Sequence, residues 1–215
     1  MMKIVRLFIE RDIDGERSYT NAEILHGLLT SLNIEKAHIL GLSLGGRIAI
    51  DFALEFPQQV SSLILAAPGL GGYPLSIEEL NRRKEIQSIA EKEGALQAVE
   101  KVLQDPSMIP AMENPAIREK IRQLAIDNAQ IYVRLYTERV PEWSAAERLS
   151  EINVPTLIIV GDRDTQYIYA IVDLLETGIV GVQKVEIKGA GHIVNMEKEE
   201  EFNQAVLDFL GHLSQ

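Results

Sequence analysis

Apolar residues along the chain follow two rhythms, one of short unbroken runs and one of helical spacing. Ala37 to Leu42 and Val60 to Ala66 are short apolar strands, the second apolar enough to be buried on both faces. Between them Leu44 to Phe56 reads as a helix that stops at Pro57. Ahead of them, Lys3 to Ile9 is rich in Ile, Val and Phe and predicts a strand, closed by the turn-forming stretch Asp12 to Gly15. Ile24, Leu25, Leu28, Leu29 and Leu32 then recur at helical spacing behind a cap at Thr20 or Asn21. Strand, helix, strand alternation of this kind predicts a mostly parallel sheet flanked by helices, an α/β fold.

From Leu75 to about Arg139 the rhythm changes. Ile77, Leu80 and Ile86, then Leu96, Val99 and Val102, then Ile117, Ile121 and Leu124 mark successive amphipathic helices with no strand between them. Strands return at Thr156 to Val160 and Lys184 to Ile187, with helices near Ile168 to Glu176 and from Glu197 to Leu213. The expected organisation is a core made of 1–74 and 140–215, interrupted by a helical cap insertion, 75–139.

Composition narrows the function. A formal net charge of −11 disfavours phosphate backbones and anionic lipid surfaces, so neither nucleic acid nor membrane is an expected partner. The chain contains no cysteine, which removes disulfides and thiolate metal sites, and no metal or cofactor is expected. Met1 to Glu10 is too short and too charged for a signal peptide, and no apolar run reaches membrane-spanning length, so a cytoplasmic protein is expected. The Gly69 to Gly72 stretch lacks the Lys-Ser/Thr ending of a phosphate loop and reads as a hinge into the helical segment.

Three sites carry chemistry, each at the carboxyl end of a predicted strand, where ligands gather in open α/β sheets. Gly41-Leu42-Ser43-Leu44-Gly45 matches G-x-S-x-G between a strand and a helix. There a sharp turn lifts the serine out of the sheet, and Gly41 and Gly45 are expected to relieve clashes. Asp164 ends the run Gly161-Asp162-Arg163-Asp164, and His192 ends Gly189-Ala190-Gly191-His192. A serine needs a base to attack at neutral pH, imidazole suits that pH, and a carboxylate holds the imidazole tautomer. Asp162 reads as a surface carboxylate, while His38 and His212 read as structural or exposed. Trp143, Met108 and Met112, with Tyr132 and Tyr136, are candidates for an apolar substrate pocket.

Gly41 to Gly46, Pro155 to Asp164 and Gly189 to His192 together resemble the α/β-hydrolase superfamily, from about Ala37 to the C-terminus. Within it the chain looks like small serine esterases, 3-oxoadipate enol-lactonase-like hydrolases and carbon–carbon bond hydrolases. The resemblance implies Ser43 as nucleophile, Asp164 as acid, His192 as base and the Leu44 N–H as an oxyanion donor. It implies a small-molecule ester or lactone substrate. The alternatives are carbon–carbon bond hydrolysis by the same residues, or a catalytically weak or silent module. The family ordinarily has further strands and a His-Gly oxyanion loop ahead of the nucleophile strand. His26-Gly27 lies inside a helical pattern and is no substitute, so an N-terminally truncated sheet is expected. Lys3 to Ile9 is then expected beside Ala37 to Leu42, with Glu10 to Asp14 near Ser43 and an outer edge open to a homodimer.

Overall fold

The computed structural model describes residues 19–129 and 140–213. The expected strand Lys3 to Ile9, the loop Glu10 to Asp14, and Tyr132 and Tyr136 lie outside the described residues, as does the end of the expected cap. The described chain opens with α1, Asn21–Ser31. A reciprocal capping box starts it: the Thr20 hydroxyl accepts from the Glu23 N–H, and the Glu23 carboxylate accepts from the Thr20 N–H.

Four strands form one parallel sheet among the described residues: β1, Ala37–Leu42; β2, Val60–Ala66; β3, Thr156–Gly161; and β4, Gln183–Ile187. Their spatial order follows the sequence, β1-β2-β3-β4, and Leu42, Ala66 and Ile159 stand in adjoining register. The period of two sorts β2 and β3 onto two faces. Leu63, Leu65, Ile158 and Val160 point to a cluster with Phe52 and Ile50 of α2, Leu44–Glu55, and with Ile171 and Leu175 of the later helix Gln166–Gly178. Ile64, Ala66, Leu157 and Ile159 point the other way, toward Phe202 and Phe209. Burial on both faces is why these strands read as continuous apolar runs.

Between β2 and β3 lie α3, Ile77–Lys92; α4, Ala95–Leu103; α5, Ile109–Glu113; and α6, Pro115–Asp127. They bury two small clusters of their own, one around Val99, Leu103 and Ile121 and one around Ile86, Ala90 and Ala98. After β3 come α7, Gln166–Gly178; α8, Val194–Glu197; and α9, Glu199–Leu213. The closing helix expected from Glu197 begins instead at Glu199: Glu197 ends the short helix α8, and Lys198 between them leaves the helical region at φ −140° and ψ 63°. No helix among the described residues is long and apolar enough to cross a membrane, and no cluster of His, Asp or Glu there is arranged to hold a metal ion.

Candidate active site

Ser43 sits at the junction of β1 and α2 with φ 53° and ψ −112°, a region that L-residues avoid. Neighbours on three sides hold it there. Its N–H donates to Ala66 O at 2.9 Å, and its carbonyl accepts from Arg47 N–H at 3.1 Å and Gly69 N–H at 2.9 Å. Two glycines make the turn possible. A Cβ on Gly41 would stand 2.1 Å from the Gly45 carbonyl oxygen, and one on Gly46 would stand 2.7 Å from Pro68 Cβ. The expectation for Gly45 is corrected: a Cβ there meets nothing within 4 Å, because the close approach to the β2 loop falls one residue later.

The acid and the histidine come from neighbouring loops that are stitched together. Asp162 N–H donates to Ile187 O and Arg163 N–H to Ala190 O. Asp162, exposed as expected, also accepts the Gly189 N–H on Oδ1 at 2.6 Å and so ties the two loops together. Asp164 is fixed by the start of α7. Its Oδ1 accepts the Thr165 N–H at 2.7 Å, which leaves Oδ2 for His192 Nδ1 at 3.0 Å. The other ring nitrogen, Nε2, lies 2.8 Å from Ser43 Oγ. With Nδ1 protonated the ring donates to Asp164 and accepts the serine proton on Nε2. Both partners are buried, Asp164 at 7% and His192 at 8% exposure, which keeps water from competing for these bonds.

Leu44 is the first residue of α2, where backbone N–H groups have no intrahelical acceptor, and the Ser43 side chain does not cap the helix. A donor beside the nucleophile is what a developing oxyanion requires.

Ser43 and His192 open into a cavity of about 450 Å³. Met108 and Trp143 line it as expected. Met112 does not: it packs beside Val99, Leu103 and Ile121 within the helical segment, because its position in α5 faces α4 and α6 rather than the sheet. Residues that the sequence reading passed over complete the wall: Tyr73, Tyr167, Arg47, Arg82 and Arg83. Each arginine faces a carboxylate that also lines the cavity. Arg47 lies 3.7 Å from Asp51, Arg82 pairs with Glu79 and lies 2.7 Å from Asp105, and Arg83 lies 2.8 Å from Glu79. Arg47 has a signal in the sequence, one helical turn beyond Ser43. The other two come from α3, far along the chain.

The remaining histidines stay outside the cavity. His26 stacks on Phe56 with ring centroids 4.3 Å apart and bonds Gln59; His38 is exposed and bonds Ser62; His212 is exposed on α9.

The family model for the alpha/beta hydrolase fold matches residues 10–199. The chain belongs to this family. It is 32% identical over 212 residues to the 2-hydroxy-6-oxononadienedioate/2-hydroxy-6-oxononatrienedioate hydrolase of Paraburkholderia phymatum, covering 92% of this chain and 70% of that one. The enol-lactonase from Burkholderia xenovorans superposes with a TM-score of 0.76 at 25% identity, over 92% of this chain and 75% of that structure. MenH from S. aureus shares the fold with a TM-score of 0.82 at 24% identity, over 96% and 80% of the two chains. As a member of this group the chain is a hydrolase of α/β-hydrolase type.

Proposed function

We propose that the chain is a serine hydrolase that cleaves small carboxylic esters or lactones through an acyl-enzyme on Ser43. The observation that carries this reading is the unbroken relay from Ser43 Oγ through His192 to Asp164, at 2.8 and 3.0 Å. His192 Nε2 takes the hydroxyl proton as Ser43 attacks the carbonyl, and Asp164 stabilises the imidazolium that forms. The oxyanion faces the Leu44 N–H. His192 returns the proton to the leaving alkoxide, and water, activated by the same nitrogen, then releases the acid.

The cavity wall favours an uncharged substrate. Three guanidinium groups face three carboxylates, so the lining charges cancel internally and a substrate anion would have to displace a carboxylate already in place. A second reading rests on the Paraburkholderia relative, named for a 2-hydroxy-6-oxo dienedioate. A chain of that constitution offers no ester, so water would be added across a carbon–carbon bond, with the same serine attacking the ketone.

The test is labelling with a fluorophosphonate, followed by turnover of p-nitrophenyl butyrate, a δ-lactone and a 2-hydroxy-6-oxo dienoate. Wild type should be labelled once and Ser43→Ala should not, with ester turnover in the variant down by at least about 10⁴-fold. Labelling that survives in Ser43→Ala rules the mechanism out. Turnover of the dienoate alone selects the second reading.

A further inference from the structure

We infer that Glu197 is a positioning residue that aims the His192 ring by gripping the backbone on both sides of it. The inference rests on the acyl-enzyme reading above. Gly191 and Ile193 flank His192, and both donate their N–H groups to the same carboxylate, to Oε2 at 2.8 Å and to Oε1 at 2.9 Å. One rigid group thereby holds the Ala190–Gly191 and His192–Ile193 peptides on either side of the histidine and so limits the direction of its Cα–Cβ bond. The ring's own bonds cannot do this through a catalytic cycle. The Nε2 bond is made and broken as the proton moves, which leaves Nδ1 to Asp164 as the only constant side-chain anchor. A displacement of about 1 Å at such a group costs on the order of 10²-fold in rate.

The local chain is shaped around this grip. Helix α8 lasts one turn, and the break at Lys198 turns Glu197 back under the loop instead of leaving it on the surface of a longer helix. Burial pushes its carboxyl above the ordinary carboxylate value. The two backbone donors and Arg163 oppose that shift, and Asp164 adds to it. The other charges nearby are Glu113 of α5, which holds Arg163, and Lys198, its chain neighbour. Ionised Glu197 is therefore held against a cost in folding. Only a carboxylate offers the two acceptor oxygens that the two backbone donors require.

The experiment separates stability from aim. Active sites of wild type, Glu197→Gln and Glu197→Ala are counted by fluorophosphonate end-point, and kcat, KM and the labelling rate constant are taken per counted site. The glutamine variant keeps one acceptor and turns an NH₂ toward the other N–H. With one backbone N–H left facing a donor it should melt somewhat below wild type, and per counted site it should lose about tenfold in kcat and in labelling rate with KM within twofold, while alanine should lose about 10²-fold. If alanine does not fold, glutamine alone decides. Rates per counted site within twofold of wild type overturn the inference and leave the acyl-enzyme reading standing. Failure of wild type to label at Ser43 overturns both.

Discussion

Strand β3 and helix α6 bury their apolar residues in different company. Every residue of β3 from Thr156 to Gly161 is buried, paired on one side with β2 and on the other with β4. Helix α6 buries only Ile121 and Ala125 and faces α4 partly through an exposed pair, Arg122 to Glu100. The first environment cannot relax without breaking ladders on both sides, whereas the second is a small cluster free to repack. Their roles divide accordingly. Ser43, Asp164 and His192 stand on turns at the ends of strands, while Arg82, Arg83 and Met108 reach the cavity from the helical segment.

The largest test of that division is Gly41→Ala. Its Cβ would lie 2.1 Å from the Gly45 carbonyl oxygen, a backbone atom at the start of α2 that cannot swing aside. Loss of both cooperative unfolding and fluorophosphonate labelling is expected; a labelled, folded variant would show the turn to be softer than its geometry implies. Next, Ile158→Ala, fully buried in β3, should cost about 4 kcal/mol in urea unfolding, against about 2 kcal/mol for Ile121→Ala in α6. Equal losses would erase the distinction between the two environments. Arg82→Ala removes a cavity wall without touching the relay and should raise KM about tenfold with kcat little changed. A fall in kcat alone would join the helical segment to the chemistry.

The smallest effect concerns Glu113 and Arg163, which bridge α5 and the acid loop in a two-pronged pair at 2.6 and 2.8 Å. The Arg163 guanidinium holds the Glu113 carboxyl below its ordinary value. A carboxyl depressed in the folded state contributes stability above the unfolded value and loses it as pH falls through the folded one. Glu113→Gln should therefore lower Tm slightly at neutral pH. The difference should vanish well below the ordinary carboxylate range. A difference that persists in acid would point to packing in place of charge.

Strands β2 and β3 and helix α2 can be read from the sequence nearly to the residue, because local pattern and tertiary burial agree there. The same agreement marks Ser43, Asp164 and His192, whose residue types, order and strand-end positions are all local facts. What escapes the sequence depends on distant approach. Gly46, not Gly45, carries the steric constraint because Pro68 arrives from the loop that follows β2. Glu197 disappears into an apparent helix because its bonds run backward to Gly191 and Ile193. Met112 and Met108 are indistinguishable by spacing; only the way α5 lies on α4 and α6 separates them.

Trp143 is the only tryptophan in the chain, and it forms part of the cavity wall with the Arg148 guanidinium 4.6 Å from its ring centre. That makes the molecule its own spectroscopic probe. Tryptophan emission comes from one indole in the wall of the cavity onto which Ser43 opens, under a cation that tunes its colour, so a molecule entering the cavity should change intensity or wavelength without any label. Stopped-flow emission can therefore time ligand arrival separately from the later release of product, step by step, in unmodified protein.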